Sequence, residues 1–404
     1  MGLTADQERA VQLIKEKYNN KEKYVTISGV AGSGKSYAVS HAIEALGVNE
    51  DDVVYTSYTG KAVEVLKRFG CKNTSTIHHL MYESLPNPDG TFYHRRRQEL
   101  PYRIIIIDEI GMVPNTIFKD LIRYRNTFFI CLGDPEQLPP INPKDDNHLL
   151  LTPHIFFTEI MRQALDSEII QLTMKIRNGE PINRNDYKKD VKIIGYDEIN
   201  TGLLLWPEQV ICATNQTKIQ YNNYIRELKH PGLTEPQDGD KIICCRNYWG
   251  QEGDIEEEEI LRTTSLVNGM TGYLRNPRVE RVKLPIRSAN YKEMDWLWCD
   301  FEASTGEIYP DLYLDYWMLK TGKPTLPWEI QYRLYKKHSE MIPYEFQYGD
   351  VITCHKAQGS TFEKVVVLEE GFPFEADLHR RWLYTAATRP SDKLVLVTNN
   401  ENIV

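Results

Sequence analysis

Gly29-Val-Ala-Gly-Ser-Gly34-Lys35-Ser36 decides the reading of this chain. The octet fits GxxxxGK[ST], a pattern with mechanical meaning only between a strand and a helix. Tyr24–Ser28 before it is a β-forming run, and Tyr37–Leu46 after it reads as a helix. Gly29, Gly32 and Gly34 let the backbone curl so that several N–H groups face one phosphate chain, and the helix N-terminus adds a fixed positive partial charge. Lys35 supplies a mobile cation for the β- and γ-phosphates, Ser33 belongs to the cradle, and Ser36 offers a hydroxyl to Mg²⁺.

Working outward, Ile104-Ile-Ile-Ile107 is a continuous apolar run, as expected of a strand buried on both faces of a parallel sheet. It ends in Asp108-Glu109. Carboxylates at the carboxyl edge of such a sheet lie where ligands bind. Asp108 is expected to hold Mg²⁺ through water and Glu109 to polarise the attacking water. Together the two motifs imply hydrolysis of a nucleoside triphosphate and leave open what it drives.

Strand-like runs alternate with helical ones on both sides. Residues 5–18 read as an amphipathic helix capped by Thr4, with Gln7 completing a capping box. Strands are expected at 53–56, 103–107 and 127–132, with a helix at 61–69. A second α/β pattern follows: strands at 210–214, 351–354, 364–368 and 394–397, helices at 216–228 and 378–388. Two stretches interrupt it. Residues 84–100 carry Pro88-Asp89-Gly90 and then Phe92 and Tyr93, a hairpin signal. Residues 241–345 are rich in short β runs, and five of the seven tryptophans fall between 249 and 328, which suggests an inserted β-rich domain.

The bulk numbers constrain the partners. A chain of 404 residues exceeds one hydrophobic core. Its net charge of -9 offers no global attraction for nucleic acid, so any such binding needs a local groove. The run Glu256–Glu259 reads as a solvated loop. The seven cysteines form no CxxC pair, which supports neither a disulfide frame nor a zinc ribbon and suits a reducing cytoplasm. No signal peptide and no apolar run long enough to span a membrane is legible.

Further strings carry a resemblance. These are Thr56-Ser-Tyr-Thr59-Gly-Lys61, Thr74-Ser-Thr-Ile-His78, Gly133-Asp134-Pro-Glu-Gln137-Leu-Pro-Pro, Met161-Arg162-Gln163, His355-Lys356-Ala-Gln358-Gly359 and Tyr384-Thr-Ala-Ala-Thr-Arg389. In this order they resemble superfamily 1 helicases of the RecD-like branch, most of all those of the phage Dda type. The resemblance implies an α/β fold of two RecA-like parallel-sheet motor domains. The first spans 1–160 with a hairpin insertion at 84–100. The second spans 161–240 and 346–404, interrupted by a β-rich, SH3-like domain at 241–345 that starts near Val267-Asn268-Gly269. It also implies roles. Gln7 reads the adenine of ATP, Gln137 senses the γ-phosphate, Arg162 and Arg389 are arginine fingers, and Gln358 and Gly359 complete the nucleotide site. Thr59, Lys61, His78, Thr353, His355 and Lys356 grip the strand, and Phe92 is a candidate separating pin. Gly111, where relatives often carry Ser, and Pro390 depart from the pattern without removing an ionic ligand.

The implied activity is ATP-dependent translocation on single-stranded DNA, 5′ to 3′, with unwinding of forked duplex. The expected state is a monomer in the cytoplasm, with replication or recombination proteins as further partners. Three alternatives stand beside it: a RecD-like motor subunit, against which the short N-terminus argues, a viral RNA helicase, and an ATP-dependent DNA-binding switch.

Overall fold

The structure, a computed structural model, describes residues 2–86, 92–139, 147–159, 166–246, 248, 266–287, 290–326, 330–331, 334 and 341–400. The chain forms two compact units. The first holds Met1–Glu83, Arg95–Ala213 and Ala357–Val404, and the second Ser84–His94 and Thr214–Lys356. These boundaries differ from a break at 240 and 345. The helix Asn215–Lys229 groups with the β-rich segment. Its buried Asn222 donates to Val351 O at 2.8 Å and accepts from Val351 N at 2.9 Å, a tie between residues far apart in sequence.

In chain order the first strands are β1 (Tyr24–Gly29), β2 (Val53–Ser57), β3 (Thr74–Thr76), β4 (Tyr82–Pro86), β5 (Phe92–Arg96), β6 (Ile104–Asp108), β7 (Phe128–Gly133) and β8 (Ile155–Phe157). Six of them make a sheet in the order β3-β2-β6-β7-β1-β8, with parallel pairing throughout. Strand β6 shows why a continuous apolar run is needed. Ile104 and Ile106 enter one core with Val25, Ile27, Val39 and Ile14. Ile105 and Ile107 enter the opposite core with Val54, Phe118, Leu121 and Phe129. Burying each such side chain contributes roughly 1.5–3 kcal/mol. β4 and β5 form the expected two-stranded element. Its Asp89-Gly90 turn lies outside the described residues.

A second parallel sheet in the first unit runs β10 (Gln209–Cys212), β17 (Phe362–Leu368), β18 (Pro390–Val397), β9 (Val191–Ile194). The helices Glu168–Asn178 and Ala376–Ala387 lie against one another beside it. Pro390 opens β18 opposite Phe362, and the register shifts before Lys364 pairs with Lys393.

The second unit is built on an antiparallel sheet, β14-β13-β12-β11-β15, from β11 (Lys241–Cys244), β12 (Thr271–Arg287), β13 (Asn290–Ala303), β14 (Ile308–Asp315) and β15 (Phe346–Tyr348), followed by β16 (Val351–Thr353). Only glycine fits at 272, because a Cβ would lie 2.2 Å from Glu302 O. Phe301, Phe346, Leu297 and Leu314 fill its core, and Trp296 stacks on Tyr313 at 5.1 Å. The run Glu256–Glu259 lies outside the described residues. No described helix is long and apolar enough to cross a membrane.

Candidate functional site

β1 delivers the chain to Gly29 at the carboxyl edge of the first sheet, and the helix Lys35–Leu46 leaves from Lys35. Gly32 and Gly34 both have φ of 77°, which a side chain would strain. At Gly29 the constraint is space: a Cβ would sit 2.8 Å from Phe157 Cβ. The loop braces itself through Ser33 Oγ, which donates to Val30 O at 2.7 Å. Lys35 Nζ donates to Gly29 O at 2.6 Å and Val30 O at 3.1 Å, which holds the ammonium inside the curl. Exposed Ser36 follows in the first helical turn. The loop thus fits a phosphate chain: glycine conformations, a helix N-terminus and a cation share one turn.

Gln7 is fully buried. Its carbonyl accepts from Thr4 N at 3.0 Å and its amide donates to Ser33 O at 3.3 Å, so it braces the phosphate loop. Its neighbour Asp6 accepts from Thr158 N and Oγ1 at 2.7 and 3.0 Å, tying the N-terminal helix to the chain leaving β8.

Asp108 closes β6 and accepts the N–H of Glu109 at 3.0 Å. Glu109 has φ of 54°, left-handed for a residue that carries a Cβ. Strain of this kind costs of order 1–3 kcal/mol and collects at functional sites. Burial pushes both carboxyls above the usual carboxylate range, and the charge of Asp108 raises Glu109 further. Lys35 and Arg389 pull both back down. Such a pair accepts a divalent cation well, since the cation removes their repulsion. At Gly111 a Cβ would meet the tip of Leu150, Cδ1, at 3.0 Å.

Gln137 Nε2 donates to Glu109 Oε1 at 3.5 Å, a long hydrogen bond. From the far end of the chain come Gln358, Gly359 and Arg389. Gln358 is buried and donates to Leu138 O at 2.9 Å, so it supports the Gln137 segment and does not open toward a nucleotide. Gly359, at φ 72°, lets Ala62 Cβ approach to 2.8 Å of where its own Cβ would be. Arg389 is buried and turned onto Thr385 O at 3.0 Å, Ser360 O at 3.3 Å and Thr388 Oγ1 at 2.8 Å. Arg162 lies outside the described residues.

The expected strand-gripping residues divide between the units. In the first, Thr59 caps the helix Gly60–Arg68 by accepting from Ala62 N at 3.3 Å. Buried Lys61 pairs with Glu64 at 3.3 Å, and the His78 ring lies 5.3 Å from that of Tyr58 and 6.2 Å from that of Tyr82. In the second, Thr353 ends β16, burial lowers the His355 pKa, and Lys356 Nζ donates to Asn268 Oδ1 at 2.6 Å. Phe92 opens β5; its side chain is outside the described set.

Sequence reasoning missed the groups that hold the segment 134–138. Tyr384 donates to Asp134 Oδ2 at 2.6 Å, Thr385 Oγ1 accepts from Leu138 N at 2.8 Å, and Arg380 pairs with Glu136 at 2.9 Å. Arg381 donates to Pro135 O at 2.8 Å and Gln137 O at 3.0 Å. The available signal was spacing: 380 with 384 and 381 with 385 put these groups on one helix face.

Residues 2–196 match the AAA domain family and residues 348–397 the UvrD-like helicase C-terminal domain family. A protein of Acanthamoeba polyphaga mimivirus is 24% identical over 97% of this chain and 98% of its own. The ATP-dependent RecD2 DNA helicase of Deinococcus radiodurans is 25% identical over 92% of this chain, and the ATP-dependent DNA helicase Dda of enterobacteria phage T4 is 27% identical over 44%. The match spans only 46% and 43% of those two proteins. In fold, the chain is similar to Pif1 helicase from Bacteroides in complex with ADP-AlF3 and single-stranded DNA, with a TM-score of 0.52 at 16% identity over 98% of this chain and 92% of that one. With both halves matched in order on a P-loop fold, the chain resembles superfamily 1 helicases of the RecD and Dda type.

Proposed function

We propose that this protein is an ATP-hydrolysing DNA helicase that moves 5′ to 3′ on single-stranded DNA and opens forked duplex. One observation carries the reading. Lys35 and Arg389 come from opposite ends of the chain, and both charges act on Glu109, the carboxylate placed to polarise water. A hydrolytic site shared by two α/β halves can turn phosphate chemistry into relative motion of those halves.

Lys35 and the loop amides bind the β- and γ-phosphates of ATP. Asp108 and Ser36 would hold Mg²⁺, which supplies charge neutralisation at the phosphates when bound. Glu109 orients the attacking water and takes its proton, Gln137 senses the γ-phosphate, and Arg389 neutralises developing charge, with Arg162 as second finger. Gln7 contributes to adenine selection through the loop it braces, Gln358 supports the Gln137 segment, and Gly359 completes the site from the second half.

Two RecA-like halves, at 1–160 and at 161–240 with 346–404, would act on the strand, with 241–345 as an SH3-like insertion. Thr59, Lys61, His78, Thr353, His355 and Lys356 contact backbone phosphates and sugars, which carry no sequence information. The hairpin β4–β5 with Phe92 separates strands. The protein works as a monomer in the cytoplasm, alongside replication or recombination proteins. Displacement of a labelled strand from a forked DNA duplex by ATP tests this. An ATPase stimulated by RNA and not by DNA, or nucleotide-dependent binding without displacement, would reject it.

A further inference from the structure

The segment Asp134–Leu138 carries Gln137, and among the described residues no strand of the first sheet hydrogen-bonds its backbone beyond the end of β7. Its backbone is held instead from the second half, by the helix Ala376–Ala387. Arg381 makes the two-pronged contact. Nε donates to Gln137 O at 3.0 Å and Nη2 to Pro135 O at 2.8 Å. A guanidinium reaching two carbonyls of one turn fixes both position and orientation, since its donors sit in a rigid fork. Arg380, one residue earlier, pairs with Glu136 at 2.9 Å and donates to Arg177 O at 2.7 Å, anchoring the fork to the neighbouring helix Glu168–Asn178. The same helix ends beside Arg389, whose Nε donates to Thr385 O at 3.0 Å. One rigid element therefore carries the grip on Gln137 and the carbonyl that seats Arg389.

We propose that Arg381 is a positioning residue for hydrolysis, holding Gln137 in register with Glu109 and linking that register to the seat of Arg389. This rests on the reading of Gln137 as a γ-phosphate sensor. Among the described residues the Arg381 guanidinium donates to carbonyls of the sensor turn, so its loss slackens that turn without removing a phosphate ligand. Turnover should then fall while nucleotide affinity holds.

The experiment is a double-mutant cycle in the full-length protein, reading DNA-stimulated kcat and the Kd of a non-hydrolysable ATP analogue. Arg381→Ala should lower kcat about tenfold to a hundredfold, the range for losing a charged hydrogen-bonding anchor, with Kd within about twofold. Arg381→Lys, which keeps charge and one donor, should recover part of kcat and serves where the alanine variant does not fold. Combined with Gln137→Ala, Arg381→Ala should add little, because both act on one contact. Wild-type kcat in both Arg381 variants overturns the proposal, as does a fully additive cycle, the result of independent packing damage. A Gln137→Ala variant with wild-type kcat removes the sensor reading itself, and the proposal with it.

Discussion

In the first parallel sheet the polar groups of the site stand at strand ends. Gly29 ends β1, Asp108 ends β6, and Gly133 ends β7 just before Asp134. In the second sheet they do not. Gln358 and Gly359 precede β17, and Arg380, Arg381, Tyr384, Thr385 and Arg389 lie on or just beyond one helix. A strand end is fixed by pairing on both sides, as β6 is by β2 and β7. A helix is held mainly by one packed face and can shift as a body against its neighbours. The difference suggests a division of labour under the proposed roles: groups that bind or sense phosphate sit at or just beyond strand ends of the first sheet, and groups that brace them sit on one helix of the second half.

The largest effects should come from the strand-end groups. Lys35→Ala should reduce DNA-stimulated ATPase to background, since the described loop holds no second cation. Glu109→Gln should keep ATP binding and lose turnover by at least about a hundredfold, because an amide cannot accept the proton of water. Residual ATPase above about a tenth of wild type in either variant breaks the first half of the comparison.

Next comes Arg389→Ala. Loss of an arginine finger costs on the order of 10³ or more in rate. The measurement is single-turnover hydrolysis beside nucleotide affinity. Poor affinity with normal turnover at saturation would make Arg389 a ground-state ligand and move it into the class of the strand-end groups.

A smaller effect is expected at the hairpin. Phe92→Ala with Tyr93→Ala should leave DNA-stimulated ATPase near wild type and slow unwinding of a forked duplex several-fold, because stacking on the last exposed base offsets only about 1–3 kcal/mol. A parallel fall in ATPase would assign these residues to strand grip or packing.

The smallest effect sharpens the comparison from the second sheet. The Glu168 carboxylate accepts N–H groups from Lys188, Lys189, Asp190 and Val191, which lead into β9, and these hold its pKa at about 2. A depressed pKa stabilises the fold above the unfolded value near ~4.3 and loses that stabilisation as pH falls toward the folded value. Glu168→Gln should lower Tm by about 2 °C at pH 7, with the gap closing between about pH 4 and pH 2 and turnover unchanged. A gap that persists at the acid end would assign the loss to packing.

The first sheet was legible because its signals are local. Eight consecutive residues spell the phosphate loop, and four isoleucines followed by two carboxylates spell β6. Short edge strands such as β3 and β8 were not, because three residues carry too little period to read. The second half hid its working parts for another reason. Arg380 and Arg381 look like solvated helix arginines, and their partners Glu136 and Gln137 lie far back along the chain. The grouping of Asn215–Lys229 with the β-rich segment carries no local signal either, since the Asn222–Val351 bonds join residues far apart in sequence.

The central claim is that ATP hydrolysis at the strand-end groups drives opening of duplex DNA. The direct measurement is ATP-dependent displacement of a labelled strand from a forked DNA substrate with a 5′ single-stranded tail, by wild type and Glu109→Gln side by side. The account predicts displacement by wild type with ATP, none with a non-hydrolysable analogue, and none by the variant although it binds the fork. Displacement by the variant, or hydrolysis by wild type that leaves the duplex intact, would contradict it.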